Sequence, residues 1–268
     1  MKLRIQHTTL FSYDQPISEA YTEMRLAPMD NARQRRIAFN LVTEPHGEVF
    51  RYTDRHQNEI HYFDILQPHQ QLQVTATSEI LTADSDVHES QELSPLDYYD
   101  WLIPTDYAPA AQVFCELGTS CVAGDDPMGT ALALMEKVHQ ALKYERGATD
   151  VKTKADEALK LGRGVCQDYA HVMIAAGRSL GLPARYVSGY LSSPRAKETG
   201  NAASHAWIDL YISGRGWISL DPTHNCLQGA NYVRVAIGRD YADVPPTRGM
   251  FKGNSKERMD VFVTVQQE

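Results

Sequence analysis

The chain has 268 residues, of which 43% are hydrophobic and 22% charged, and its formal net charge is −8. These proportions are typical of a globular protein and exclude a disordered or fibrous chain. No window approaches 18 consecutive apolar residues, which argues against a transmembrane helix. The acidic balance argues against a nucleic-acid-binding protein. Four cysteines do not make a disulfide scaffold, and residues 1–7 lack the apolar block of a signal peptide. We therefore expect a soluble, reduced, cytoplasmic protein that binds neither nucleic acid nor membrane; the composition does not indicate its oligomeric state.

Residues 1–82 have the pattern of β-strands. Apolar and polar residues alternate over 3–11, 37–41 and 72–76, and turn-forming sequences separate these runs. A period of two, rich in Thr, Val and aromatic residues, is the signature of half-buried strands. We predict an amino-terminal antiparallel β-sandwich of five to seven short strands.

The segment 83–127 is acidic at first and is interrupted by Pro95, Pro104 and Pro109. We interpret it as a linker that packs at its end, because four large side chains within it would be costly to leave exposed. These are Tyr98, Tyr99, Trp101 and Leu102.

Helical and strand patterns alternate in the predicted core, residues 128–230. Apolar residues recur every three or four positions over 130–142 and again over 169–180, where Gly181 and Pro183 give a stop signal. Strand patterns follow at 184–191, 204–212 and 217–221. The last segment, 231–268, is predicted as a carboxy-terminal extension with a closing strand over 259–265. The expected fold class is therefore α+β, with a helix packed on an antiparallel sheet.

Cys166 is the first candidate for chemistry. It follows the glycine-rich turn at 162–164 and opens the helix that ends near residue 180. A thiol at this position faces unpaired backbone N–H groups and the positive end of the helix dipole. Both features favour the nucleophilic thiolate, and the N–H groups could also bind an oxyanion. The alternative is a buried structural cysteine, which is common.

His205 is the candidate base for this thiol. It lies on the strand 204–211, where alternate residues form an apolar face and His205 points to the other side. If Tyr211 pairs with Trp217, the apolar residues of both strands point to the same side of the sheet, and residues 212–216 form the loop. This register makes Asp221 the diagonal neighbour of His205 on the adjacent strand, with about 7–8 Å between their backbones. A carboxylate there would orient the imidazole; the alternative is an Asp that only starts the turn at 221–224.

The motifs Gly-Val-Cys-Gln-Asp-Tyr-Ala-His, Ser-His-Ala-Trp-Ile-Asp-Leu-Tyr and Gly-Trp-Ile-Ser-Leu-Asp-Pro-Thr-His-Asn resemble the transglutaminase-like superfamily. The resemblance is to its prokaryotic branch with an amino-terminal β-domain, whose core is a rearranged papain-like cysteine protease fold. It extends over residues 130–226, the amino-terminal 80 residues and the segment 235–246. The sequence Asp-Arg-His-Gln-Asn at 54–58 departs from the branch, which usually has an Asp, an aromatic residue and a Gly-Asn turn there.

The resemblance implies a catalytic triad of Cys166 as nucleophile, His205 as base and Asp221 as the orienting acid. The implied reaction is attack of the thiolate on a peptide or protein amide, giving a thioester that water or an amine resolves. We expect hydrolysis like that of a cysteine peptidase, with protein-glutamine crosslinking or a non-catalytic binding module as alternatives. No cofactor or metal is expected. The Cys166 backbone N–H is the candidate oxyanion donor, and no second donor is assigned.

Several other residues have competing interpretations. His171 lies about 140° around the helix from Cys166, so we interpret it as structural. A zinc site built from the three triad residues, or from the His-Asn-Cys sequence at 224–226, is chemically possible but not favoured. Trp207 and Trp217 either line a substrate groove or cover the sheet, and Cys226 is interpreted as a packed thiol.

Overall fold

A computed structural model describes residues 1–83, 92–192 and 204–268. Its strands are β1 (Lys2–Ile17), β2 (Glu19–Met24), β3 (Gln34–Glu44), β4 (Phe50–Thr53), β5 (Glu59–Ile65), β6 (His69–Thr82), β7 (Lys143–Tyr144), β8 (Arg163–Gly164), β9 (Ala184–Leu191), β10 (Ser204–Ile212), β11 (Gly216–Asp221), β12 (Cys226–Leu227), β13 (Tyr232–Gly238), β14 (Thr247–Lys252) and β15 (Glu257–Gln267). Its helices are α1 (Pro95–Asp100), α2 (Gln112–Thr119), α3 (Pro127–Ala141), α4 (Ala155–Leu161) and α5 (Cys166–Ser179). Within the described ranges, none of these helices is long and apolar enough to cross a membrane.

Two four-stranded antiparallel sheets form the predicted β-sandwich, with strand orders β15-β1-β6-β3 and β14-β2-β5-β4. The alternation on β1 is confirmed, since Leu3, Ile5 and Phe11 are buried and their neighbours face outward. Apolar side chains of both sheets, such as Met24 and Leu72, fill the space between them. The predicted closing strand is confirmed as β15, which pairs with β1 along eleven residues.

Two details of the sequence interpretation are wrong. Ile37 was expected to alternate inward with Phe39, but a β-bulge between Arg36 and Ala38 turns it outward and leaves it 49% exposed. Tyr99, expected to pack, is 68% exposed on α1. The segment interpreted as a linker also contains α2, whose Phe114 is fully buried in the core around α5.

The carboxy-terminal half is built on a five-stranded sheet with the order β12-β11-β10-β9-β13. Helix α5 packs on one face of this sheet, against the apolar side chains of β10 that the sequence pattern predicted. Both faces of the sheet are covered, because Trp207 and Asp209 on the opposite side of β10 are also completely buried. The α+β class with a helix on an antiparallel sheet is therefore confirmed.

The hairpin of β10 and β11 has the predicted register. Tyr211 lies opposite Trp217 and Ile208 opposite Leu220, so the apolar residues of both strands point to the same side of the sheet. The loop is shorter than expected, because Ile212 also pairs with Gly216 and only three residues remain between them. This register fixes where Asp221 emerges at the end of β11.

Two carboxamide side chains attach the sandwich to the free edge of β13. Gln34 donates to the carbonyl of Arg234 and accepts from its backbone N–H, over 2.8 and 2.7 Å. Asn58 makes the same pair of bonds with Ile237, both of 2.8 Å. Each amide thus imitates a neighbouring strand, so the backbone groups that β13 leaves unpaired are satisfied by side chains.

The unusual turn at 54–58 is closed by hydrogen bonds to Asp54. Asp54 accepts hydrogen bonds from the backbone of His56 and Asn58, at 2.8 and 3.0 Å, and from the Asn58 side chain at 2.8 Å. Gln57 has a φ of +64°, the left-handed conformation that glycine adopts without strain. The departure from Gly-Asn therefore changes the residue at the strained position but leaves Asn58 in place.

Candidate active site

Helix α5 presents Cys166 at its first turn. The preceding residue, Val165, has no polar side chain to cap the helix, so the first N–H groups are not occupied by an N-cap oxygen. Asp168 instead reaches back, and its Oδ2 accepts from the Val165 N–H at 2.7 Å and from Thr149 Oγ1 at 2.7 Å. A Cβ on Gly164 would lie 2.4 Å from the same Oδ2 atom, so only glycine fits there. The turn thus holds the half-buried Cys166 at an open helix N-terminus.

His205 and Asp221 meet between neighbouring strands, as the predicted register requires. His205 Nε2 lies 2.7 Å from Asp221 Oδ2, and both side chains are nearly inaccessible to solvent. Burial alone would raise the pKa of the Asp221 carboxyl, but hydrogen bonds from His205 and His224 outweigh it and lower that pKa strongly. The carboxylate is therefore charged at neutral pH, and Nδ1 is the His205 nitrogen left for another partner.

Asp221 performs two tasks with its two oxygens. Oδ1 accepts from the backbone N–H of Thr223 and His224, at 2.9 and 3.3 Å, which closes the turn after β11. Oδ2 accepts from His205, from His224 Nδ1 at 2.7 Å and from the hydroxyl of Tyr232 at 2.8 Å. The two sequence interpretations, a turn-forming Asp and an Asp that orients a histidine, therefore both hold.

Cys166 is the second partner of His205. Burial would lower the pKa of the His205 ring, but hydrogen bonds with Asp221 and with the Cys166 side chain more than compensate and raise it to about 10. An imidazole with this pKa carries a proton at neutral pH. The structure thus brings together all three residues singled out from the sequence, with the imidazole between sulfur and carboxylate.

Two aromatic side chains shield the histidine–carboxylate pair from water. The Trp207 ring is fully buried and stacks on His205 with 6.1 Å between ring centroids and 26° between planes. Tyr232 on β13 packs edge-on against Trp207 at 5.3 Å. Trp217 lies elsewhere, in a cluster with Trp101 and Tyr211, and covers the sheet. Of the two tryptophans considered from the sequence, Trp207 therefore borders the histidine.

Sequence reasoning missed Tyr232 and the role of His224. Tyr232 reaches Asp221 from β13, which is separated from β11 by two strands in the sheet, so no local spacing indicates it. His224 is three residues after Asp221, and its side chain is 49% exposed. Its ring centroid is 5.1 Å from that of His205. A polar residue three positions after an Asp turn is the signal that could have identified it.

Metal-ligating atoms of His205, Asp221 and His224 lie within 4.8 Å of one another. Two imidazoles and a carboxylate are groups that zinc accepts. The same atoms are engaged in hydrogen bonds with each other, so the arrangement is explained without an ion. This set differs from the zinc site considered for the triad, because His224 takes the place of Cys166. It differs from the site considered at 224–226, because Cys226 is not part of it.

The remaining candidates have structural surroundings. His171 is fully buried between the rings of Tyr107 and Tyr186, with centroids 5.0 and 5.1 Å away. Burial lowers the pKa of His171 to about 3, and its Nε2 accepts the backbone N–H of Tyr241 at 3.2 Å. Cys226 is half-buried, and its sulfur lies 3.3 Å from the Tyr232 hydroxyl.

Comparison with known proteins agrees with this architecture. Residues 118–222 match the model of the transglutaminase-like superfamily core, and residues 3–81 match the bacterial transglutaminase-like N-terminal region. The chain is 33% identical over 275 residues to the uncharacterized protein ML0607 of Mycobacterium leprae, with 98% of each chain covered. The protein therefore belongs to the transglutaminase-like superfamily.

Two further similar proteins differ in how much of the chain they match. A crystal structure from Cytophaga hutchinsonii, provisionally described as a cysteine protease, superposes with a TM-score of 0.81 at 21% identity. It covers all of this chain and 91% of that one, which shows a common fold. A protein-glutamine gamma-glutamyltransferase of Pseudomonas aeruginosa is 27% identical over 141 residues, or 47% of this chain and 21% of that protein.

Proposed function

We propose that the protein is a cysteine-dependent enzyme that hydrolyses amide bonds of peptides or proteins through a thioester intermediate. Cys166 acts as the nucleophile, His205 as acid and base, and Asp221 as the carboxylate that orients the imidazole. The observation that carries the proposal is the position of His205, which hydrogen-bonds Asp221 on one side and Cys166 on the other. We further propose residues 128–230 as the catalytic core and residues 1–82 as the amino-terminal domain.

The first half of the reaction forms the thioester. The Cys166 sulfur, as a thiolate beside protonated His205, attacks the amide carbonyl carbon and forms a C–S bond. The negative charge that develops on the carbonyl oxygen is stabilised by N–H groups at the start of α5, foremost that of Cys166 itself. The C–N bond then breaks, and the proton on His205 Nδ1 moves to the departing nitrogen. The imidazole is left neutral.

The second half releases the acyl group. Neutral His205 accepts a proton from water, whose oxygen attacks the thioester carbonyl, and the C–S bond breaks. The products are a carboxylic acid and the regenerated thiolate–imidazolium pair. Asp221 stabilises the imidazolium at both stages without accepting a proton, since hydrogen bonds keep the pKa of its carboxyl low.

The acyl acceptor decides between hydrolysis and amide exchange. A primary amine in place of water would give protein-glutamine crosslinking, and the partial identity to the Pseudomonas aeruginosa gamma-glutamyltransferase favours this as the second candidate. No metal or organic cofactor enters either route. We also propose that the protein acts in the cytoplasm, the compartment expected from its low cysteine content.

Product analysis tests the proposal. The protein is incubated with a peptide library containing internal glutamines, with and without a labelled primary amine, and the products are identified by mass spectrometry. Cleaved or deamidated peptides support hydrolysis, and amine-linked peptides support crosslinking. Cys166→Ala is the control and must abolish every product. Absence of any product with the wild-type protein, together with retained peptide binding, would instead support a non-catalytic binding module.

A further inference from the structure

The free edge of β3 is long, largely uncharged and bordered by an open groove. Within the described ranges, β4 and β12 are too short to pair extensively, and side chains of the sandwich cover the edge of β13. Strand β14 carries Arg248 and Lys252, and β15 carries three charges in its first four residues but none over residues 261–267. Charges, short length and coverage are the usual means by which edge strands avoid pairing with another chain. Strand β3 has eleven residues and no charge over the seven from 37 to 43.

The apolar side chains of this edge are accessible. Ile37 and Val42 are 49% and 51% exposed on the outer face. Phe39 and Leu41 point inward and are only half-buried, because they line an open groove between β3 and β4. The groove has a volume of about 440 Å³ and is the place where the two sheets of the sandwich fail to close. An uncharged strand with exposed apolar residues beside an open groove is a template for an added strand.

The sequence of β3 is complementary to itself in the antiparallel direction. Arg35 and Arg36 begin the strand and Glu44 ends it. Arg36 is already paired with Glu59 inside the chain, at 2.9 Å. Two copies paired about an axis at Asn40, with the bulge at Ile37 taking up one residue, would bring Glu44 of each next to Arg35 of the other, since both residues face outward. Charge complementarity of this kind favours an identical partner in the antiparallel orientation.

The faces of the strand agree with the same register. Phe39, Leu41 and Thr43 pair with β6 residues on the inner side, whereas Asn40 and Val42 face outward. A two-fold axis at Asn40 places Phe39 opposite the partner's Leu41, inner face to inner face. Because directly opposite residues must point to the same side, this register satisfies the pairing without turning any apolar residue over.

We infer that β3 is an interface between two copies of this protein, which pair edge to edge into a continuous eight-stranded sheet. The proposal does not depend on the proposed function. Pairing along one strand buries less surface than a standard protein interface, so we expect a weak dimer whose fraction grows as the protein concentration rises.

Sedimentation velocity and light scattering test the interface. The wild-type chain, of 30.1 kDa, is expected to approach twice that mass as concentration rises. Asn40→Lys and Asn40→Asp, each of which places like charges opposite each other at the axis, are expected to be monomeric. An equimolar mixture of the two variants restores the dimer, because Lys then faces Asp.

Gln6→Lys is the matched control, since Gln6 is also exposed in the same sheet but lies on the inner strand β1, which does not neighbour β3. It is expected to dimerise like the wild type, and circular dichroism verifies that all variants are folded. A wild-type protein that remains monomeric throughout, or an Asn40→Lys variant that dimerises as well as the wild type, would overturn the inference.

Discussion

The side chains of His205 and Asp221 come from adjacent antiparallel strands and meet over 2.7 Å in the interior of the protein. A charged pair in such surroundings affects stability as well as chemistry. Hydrogen bonds raise the pKa of His205 to about 10 and lower that of Asp221. The pair therefore links the free energy of unfolding to pH.

The sign of this linkage differs between the two groups. The raised pKa of His205 means that its contribution is complete below about pH 6.5 and is lost as the pH rises toward 10. The lowered pKa of Asp221 means that its contribution is present above about pH 4 and is lost on acidification. In the proposed mechanism Cys166 gives up a proton while His205 holds one, so the folded pair binds as many protons as an unfolded thiol and a neutral imidazole. We therefore predict that the wild type loses stability only above about pH 8.5, where an unfolded cysteine also ionises, by at most about 1.4 kcal/mol per pH unit.

Asp221→Asn isolates this effect, because the amide keeps an oxygen for the turn but removes the charge. Urea unfolding at pH 8.5 and 10 should show a less stable variant with a shallower dependence on pH. Asp209→Asn is the matched control, since Asp209 is equally buried but pairs with Arg185 and Arg234, which do not titrate in this range. A variant Asp221→Asn whose pH slope equals that of the wild type would contradict the assignment.

Asp168 is predicted to hold the turn that presents Cys166. Asp168→Ala removes two hydrogen bonds to a buried carboxylate and should lower the free energy of unfolding by about 2–4 kcal/mol. It should also reduce turnover, because the start of α5 is no longer fixed.

Glu157→Ala on α4 is the control for Asp168. Glu157 accepts the N-cap N–H of Lys154 at 2.9 Å, the same capping contact, but on an exposed helix end. Chemical denaturation should show a loss of about 1 kcal/mol or less, with unchanged turnover. If Asp168→Ala behaves like Glu157→Ala in both measurements, Asp168 has no special role at Cys166.

Tyr232 is predicted to stabilise the charged form of Asp221. Tyr232→Phe keeps the packing against Trp207 and removes one hydrogen bond to a carboxylate, which should cost about 1.5–3 kcal/mol. Tyr190→Phe is the control, because the Tyr190 hydroxyl bonds His7, whose pKa is lowered to about 4 by burial and which is neutral. Its loss should cost about 1 kcal/mol. Equal losses in urea unfolding would count against a charged Asp221.

Asn58 is predicted to join the sandwich to the core. Asn58→Ala leaves the N–H and carbonyl of Ile237 without their partners in a buried position, at a cost of about 2–4 kcal/mol. Gln57→Gly relieves the left-handed conformation next to it and should change stability by less than about 1 kcal/mol, in the stabilising direction. Thermal unfolding of both variants gives the comparison, and a neutral Asn58→Ala would contradict the bridging role.

The parts of the fold that follow from short-range patterns could be predicted from the sequence. The register of β10 and β11 follows from burial with a period of two, and it locates Asp221 beside His205. The extent of α5 follows from apolar spacing and from Gly181, which has a φ of +76°. The family resemblance supplies the same three site residues.

Other parts depend on contacts that leave no local pattern. Tyr232 reaches Asp221 across the sheet, and Gln34 binds a backbone 200 residues away. The bulge that exposes Ile37 adds a residue to the strand, which shifts the alternation on which the prediction was based. These features arise only when the two halves of the chain have assembled.

The rate of alkylation of each cysteine at pH 6 tests the central claim most directly. In the proposed mechanism Cys166 reacts as a thiolate paired with protonated His205, whereas Cys115 is more exposed but takes no part in the reaction. With iodoacetamide and mass spectrometry, we predict that Cys166 reacts at least about tenfold faster than Cys115, and that His205→Ala removes this advantage in a folded protein. Slow, equal labelling of all four thiols, or an unchanged rate at Cys166 in His205→Ala, would contradict the account.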